Sequence, residues 1–140
     1  KAYEMIPRAL RDKLEGRMVL QMHDYKRRER LNLDVVDLAK IRHHEQPLFI
    51  THPATGKKAL YVSRLMSSRI EGLSREESEA ALEQLFDISE DPSNVYEHDW
   101  QLGDLVIWDN WASIHMRKDF PREEPRLMRR LTIEGQAMRF

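Results

Sequence analysis

Apolar residues at Ala2, Tyr3, Ile6, Leu10 and Leu14 recur at helical spacing, and Gly16 supplies a stop. Pro7 suits either a first-turn position or a break, so this stretch predicts one helix, or two short ones, over 2–15. Arg17 to His23 (RMVLQMH) predicts a strand, and the dense charge run from Asp24 to Arg30 predicts a solvated loop. Leu33, Val36, Leu38 and Ile41 are loosely helical in spacing and predict a short helix over 33–42, with Pro47 beyond it. Leu48 to Thr51 and Lys58 to Ser63 flank Pro53-Ala54-Thr55-Gly56, which predicts a hairpin. Ser74-Arg75-Glu76-Glu77 is a capping box, and a helix is expected from Arg75 to about Ser89 with Ala81, Leu82, Leu85, Phe86 and Ile88 on its apolar face. Beyond Asn94 the period changes to two: Tyr96, His98 and Trp100 alternate with Val95, Glu97 and Asp99. Further strands are expected at Leu105 to Trp108, after a Gly103-Asp104 turn, at Trp111 to Arg117 and at Arg126 to Glu134. Strands gathered towards the C-terminus with helices upstream predict a mainly β fold, a sandwich or jelly roll with helical cover.

Composition removes several functional classes. The chain has 140 residues, enough for a core without metal or disulfide staples, and it has no cysteine, which excludes thiolate zinc sites and a cysteine nucleophile. A cysteine-free chain fits a reducing compartment, so cytoplasm is the expected location. Lys and Arg number 23 against 24 Asp and Glu, a balance that gives no general reason to expect nucleic acid or an anionic membrane. Basic clusters such as Lys26 to Arg28 lack interleaved aromatics, and no apolar run approaches the ~20 residues of a membrane span. Lys1 stands where an initiator Met would be and the helical pattern begins almost at once, so the sequence reads as an excerpt of a longer protein.

Histidine is the chemically interesting residue. Among His23, His43, His44, His52, His98 and His115 there is neither a zinc-protease pair nor a zinc-finger pattern. The adjacent His43 and His44 read as surface residues, and His98, on the same face as Tyr96 and Trp100, reads as a packed or hydrogen-bonded structural histidine. Phosphate loops and Gly-x-Ser-x-Gly elbows do not occur, and no pair of carboxylates is singled out by spacing. On the last expected strand Arg126, Met128, Arg130 and Thr132 would share one face, with Leu127, Leu131 and Ile133 on the other. The two arginines would stand about 13 Å apart, and periodicity alone favours arginines to water and leucines to the core.

The run Trp100-Gln101-Leu102-Gly103-Asp104-Leu105-Val106-Ile107-Trp108-Asp109-Asn110, followed by His115 and by Arg126-Leu127-Met128-Arg129-Arg130, resembles the C-terminal signature of the taurine and 2,4-dichlorophenoxyacetate dioxygenases. Ala2-Tyr3-Glu4 to Gly16, Thr51-His52-Pro53 to Tyr61-Val62, and Ile70-Glu71-Gly72-Leu73 to Phe86 resemble successive segments of the same family. Trp111 departs from the Arg common after Trp-Asp-Asn, and Met116 to Lys118 differ from the taurine enzyme.

The resemblance implies a double-stranded β-helix, a cupin-like jelly roll, of which this chain is the C-terminal part with covering helices. It implies an Fe(II)- and 2-oxoglutarate-dependent dioxygenase that uses O2, forms succinate and hydroxylates a small anionic substrate, a sulfonate or a carboxylate. His115 would be the second histidine of the iron triad, Arg126 would bind the distal carboxylate of 2-oxoglutarate, and Arg130 would assist or meet the substrate; Met66 is a candidate for lining the pocket. Tight homo-oligomers also occur in the family. The family's other two ligands form a His-x-Asp pair, no such pair with Asp or Glu at the third position is expected in this chain, and the Thr that helps hold 2-oxoglutarate has no matched segment. The missing pair implies an N-terminal part outside this sequence, and without it this chain alone would be inactive. Two readings stand beside the enzyme: a catalytically inactive half-domain or homologue that binds a partner or small anion, and a plain structural domain with both arginines exposed.

Overall fold

The computed structural model describes residues 1–24, 29–121 and 123–135, so the basic cluster Lys26 to Arg28 lies outside the described residues. Of the two alternatives for the first segment, the two short helices form, α1 (Ala2–Met5) and α2 (Arg8–Leu14), with the break at Ile6 and Pro7. Pro7 cannot donate a backbone hydrogen bond and disfavours helical geometry at Ile6, which is extended at ψ 127°. Gly16 takes φ +73° after α2 and turns the chain into β1 (Met18–His23).

Strand β1 is the centre of a three-stranded sheet. It pairs antiparallel with β2 (Arg42–Pro47) on one side and β5 (Ser67–Ile70) on the other, with a register irregularity between Leu20 and Gln21 against β5. Being covered on both faces explains its nearly continuous apolar run. Val19 enters the main core, whereas Leu20 and Met22 face a second cluster with Leu31, Leu33 and Val36. A separate hairpin joins β3 (Phe49–Thr51) to β4 (Lys58–Leu60) with Phe49 opposite Leu60 and Thr51 opposite Lys58. The hairpin is attached to the first sheet through the Leu48 N–H, which donates to the Arg17 carbonyl at 2.9 Å.

Helix α3 (Arg75–Ser89) closes the main core with Ala81, Leu82, Leu85 and Phe86. Both halves of its capping box form: Ser74 Oγ accepts from the Glu77 N–H, and the Glu77 carboxylate accepts from the Ser74 N–H, each at 3.2 Å. Ser78, buried on the same helix, accepts the Ile70 N–H at 2.8 Å and satisfies an edge group of β5. On the outer face Arg64 donates to Glu83, Asp87 and Glu90 and covers the Phe86 ring at 4.9 Å.

The structure corrects three expectations. Residues 33–42 form turns and a short 3-10 segment (Leu38–Lys40) instead of a helix, because Leu33, Val36, Leu38 and Ile41 pack as a cap over Leu20 and Met22. Strands β2 and β5 occupy stretches for which no strand is predicted, and their polar composition fits this: β2 is exposed from Arg42 to Glu45 and only its pairing with β1 makes it a strand. Conversely the expected strands over 95–100, 105–108, 111–117 and 126–134 carry no ladder among the described residues. A strand needs a hydrogen-bonded neighbour and a covering layer, and among the described residues these segments gain no ladder partner. Leu127 and Leu131, expected to face a core, are 94% and 95% exposed. Among the described residues no helix is long and apolar enough to cross a membrane.

Candidate functional site

Trp108, Asp109 and Asn110 begin the region of interest. The Asp109 carbonyl accepts the Ala112 N–H at 3.3 Å and the Ser113 N–H at 3.1 Å, which folds 109–113 into a single turn. Asp109 Oδ1 accepts the Trp111 N–H at 2.8 Å, and Trp108 Nε1 donates to Asn110 Oδ1 at 3.0 Å. His115 follows this turn. Its ring lies 5.0 Å from the Trp108 ring, tilted by 52°, and no hydrogen bond engages it among the described residues.

No sequence pattern singles out His52, yet it is the residue that joins the hairpin to this turn. His52 Nδ1 accepts the Ala54 N–H at 3.3 Å and the Thr55 N–H at 3.1 Å, so the side chain organises the hairpin loop from within. With Nδ1 accepting, the neutral ring carries its proton on Nε2, which donates to Asp109 Oδ2 at 2.6 Å. The His52 bond, reinforced by the Trp111 N–H, holds the Asp109 carboxyl below its ordinary 3.8. A similar arrangement forms at Asp104, which accepts from the Gln101 N–H and from His98 Nε2, both at 2.9 Å, and whose carboxyl is lowered by Gln101 first and His98 second. His98, hydrogen-bonded to Asp104 and edge-on to Trp100 at 4.7 Å, fits the packed or hydrogen-bonded histidine its pattern predicted.

Arg126 lies over the Phe120 ring at 5.3 Å, with Arg117 over the same ring at 4.9 Å. Arg126 and Arg130 are both exposed, and no carboxylate of the described residues pairs with either guanidinium. Residues 126–135 carry no strand ladder among the described residues, and among these residues no hydrogen bond, ion pair or ring contact joins His115 to either arginine. Two open surface depressions lie elsewhere. One, of about 410 Å³, is on the outer face of α3 between Arg75, Glu79 and Glu83, and one of about 360 Å³ involves Leu20, His43, Glu45 and Arg69.

His43-His44-Glu45 is a His-x-Glu run at the spacing of the family's His-x-Asp pair, and it corrects the expectation that no His in this chain is followed two positions later by a carboxylate. His43 and Glu45 lie on one face of β2, and His43 Nδ1 is 2.9 Å from the Ile41 carbonyl oxygen. Both are exposed, as expected for His43 and His44, and no group of three His, Asp or Glu side chains among the described residues is arranged to hold a metal. His115 is a fitting single donor, since an imidazole with unoccupied ring nitrogens suits iron(II), but a complete site needs donors beyond it.

The family model for the taurine catabolism dioxygenase TauD, TfdA family matches residues 1–132. The chain belongs to this family. An (S)-phenoxypropionate/alpha-ketoglutarate-dioxygenase of Sphingobium herbicidovorans is 39% identical over 90 residues, which cover 64% of this chain and 31% of that protein. An alpha-ketoglutarate-dependent 2,4-dichlorophenoxyacetate dioxygenase of Cupriavidus pinatubonensis is 32% identical over 142 residues, covering 98% of this chain and 48% of that protein. Among solved structures, a taurine dioxygenase from Burkholderia xenovorans superposes with a TM-score of 0.57 at 29% identity, over 73% of this chain and 32% of that one. The chain thus spans about a third to about a half of the length of these relatives. Within this TauD, TfdA family chain, the fold shared with solved members is a sheet with covering helices.

Proposed function

We propose that the full-length protein is an iron(II)- and 2-oxoglutarate-dependent oxygenase, and that this chain contributes His115 as one iron ligand, Arg126 as the anchor of the cosubstrate's distal carboxylate, and Arg130 beside it. The observation that carries this reading is the run from Trp108-Asp109-Asn110 through His115 to Arg126 and Arg130, within a family match over residues 1–132. When bound, iron(II) and 2-oxoglutarate supply oxidative decarboxylation to succinate and carbon dioxide, coupled to oxygenation of the substrate. This chain's part is positional. The imidazole of His115 supplies a neutral donor, and the guanidinium of Arg126, free of internal carboxylates among the described residues, grips an incoming one through a charge-assisted pair. The segments after Asn94, with their period-two pattern, become barrel strands of a jelly roll once neighbouring strands complete their ladders.

The substrate is a small anion, a carboxylate or sulfonate. Arg130 supports this, as do relatives named for phenoxypropionate and 2,4-dichlorophenoxyacetate. The lack of cysteine supports a cytoplasmic location, and the exposed apolar residues of 102–133 support burial against further protein, either the rest of the domain or a second copy.

The test is ligand binding by the full-length protein. Arg126→Ala is expected to weaken 2-oxoglutarate at least about tenfold, since a hydrogen bond to a charged group contributes about 1.5–3 kcal/mol. Unchanged 2-oxoglutarate affinity would refute the role of Arg126. A second reading, an inactive homologue that binds an anion or partner, draws on the finding that no group of three His, Asp or Glu side chains among the described residues could hold a metal. Iron binding with oxygen-dependent succinate formation by the full-length protein excludes it, and anion binding without iron selects it.

A further inference from the structure

His52 and Asp109 belong to different elements, 57 positions apart, and their side chains meet at 2.6 Å. We propose that His52 is a positioning residue for His115: it latches the β3–β4 hairpin to the 109–113 turn and thereby fixes the direction from which the His115 imidazole is presented. The inference rests on the reading of His115 as an iron ligand.

Four observations connect the two residues physically. His52 is itself fixed, because its Nδ1 accepts the Ala54 and Thr55 N–H groups and its side chain is only 13% exposed. The proton is therefore left on the nitrogen aimed at Asp109, and the bond has one orientation. Asp109 is the organiser of its own turn, with Oδ1 on the Trp111 N–H at 2.8 Å and its carbonyl accepting Ser113 Oγ at 2.5 Å. Trp108, covalently next to Asp109, carries its ring against His115 at 5.0 Å. Holding Asp109 thus constrains His115 twice, through the turn that precedes it and through the ring that flanks it. A segment without a strand ladder of its own among the described residues has few other restraints, so this bond is given weight that a surface ion pair ordinarily lacks.

The two ring nitrogens of His52 can be separated by substitution. Asn places an acceptor where Nδ1 stands and can still cap the hairpin, but it is too short to reach Asp109. Gln reaches Asp109 with a donor but cannot accept from Ala54 and Thr55 in the same way. The experiment uses the full-length protein and measures Mn(II) affinity by titration without oxygen, together with apo-protein thermal unfolding and the amide signals of Ala54 and Thr55.

His52→Asn is expected to weaken Mn(II) about tenfold, in the range seen when residues supporting a metal ligand are lost, with unfolding temperature and hairpin signals near wild type. His52→Gln is expected to restore most of that affinity despite a perturbed hairpin. Asp109→Ala should weaken Mn(II) similarly, and adding His52→Asn to it should cost nothing further, because the two residues act through one bond. Wild-type Mn(II) affinity in His52→Asn, or additive losses in the double variant, overturns the latch. His115→Ala separates this failure from failure of the underlying reading: if it leaves Mn(II) affinity intact, His115 is not a ligand, and if it abolishes binding while His52→Asn does not affect it, only the latch is wrong.

Discussion

At the scale of single residues, polar groups that bridge elements matter more here than charges on the surface. Ser78 is buried and its hydroxyl is the partner of the Ile70 N–H at 2.8 Å. Ser78→Ala removes the acceptor and leaves a buried donor unsatisfied, so a loss of about 1–3 kcal/mol is expected in denaturant unfolding. Lys58 and Glu15, joined at 3.0 Å with both side chains well exposed, offer the contrast: Lys58→Ala should change stability by less than about 1 kcal/mol. Ser67 belongs with Ser78. It is fully buried, accepts the Ser63 N–H and donates to Gln21, whose own amide reaches the Tyr61 carbonyl, so hydroxyl and amide groups stitch β5 to β1 and to the loop before it.

At the scale of elements, α3 is the best specified, and its start is sensitive to pH. Glu77 accepts from Lys13 Nζ at 2.8 Å and from the Ser74 N–H, and its carboxyl is held below the ordinary 4.5, chiefly by the Lys13 bond and next by Ser74. A carboxyl lowered in the folded state contributes stability that is present above its unfolded pKa and is lost as pH falls through the folded one. The stability gap between wild type and Glu77→Gln should therefore be constant above about pH 4.5 and shrink on further acidification, which thermal unfolding across acid pH would show. Ser74→Ala, which removes the cap without touching Lys13, is expected to cost about 1 kcal/mol at neutral pH. The hairpin and α3 were legible because their signals are local: a turn sequence between β-prone runs, and a cap four residues long. Strands β2 and β5 were not, since Arg42 to Glu45 is polar throughout and becomes a strand only by lying beside β1.

At the scale of the whole molecule, the described residues divide between a packed body and an exposed C-terminal stretch. The body holds Leu14, Val19, Leu48, Ile70, Leu82 and Phe86 fully buried, while Leu102, Leu105, Ile107, Leu127, Leu131 and Ile133 are all largely in solvent. Amide exchange of the 140-residue chain should therefore protect β1 and α3 strongly and leave 95–108 and 126–135 close to unprotected, with slowing at those positions refuting the division. The family signature lies almost entirely in the exposed part, and this is why the candidate residues were legible while their arrangement was not. His115, Arg126 and Arg130 are candidates through the family resemblance, which rests on residue order along the chain alone.

By itself the sequence determined what depends on neighbours along the chain: the break at Pro7, the β3–β4 turn, the capped start of α3 and the order of residues from Trp108 to Arg130. Tertiary structure decided what depends on neighbours in space. It made strands of polar segments by pairing them, folded 33–41 over Leu20 and Met22, and brought His52 to Asp109. It also left the alternating segments after Asn94 without a ladder among the described residues. The reason is the same throughout: side-chain periodicity is written locally, whereas the hydrogen-bond partner and the covering layer that turn a pattern into a strand must come from elsewhere.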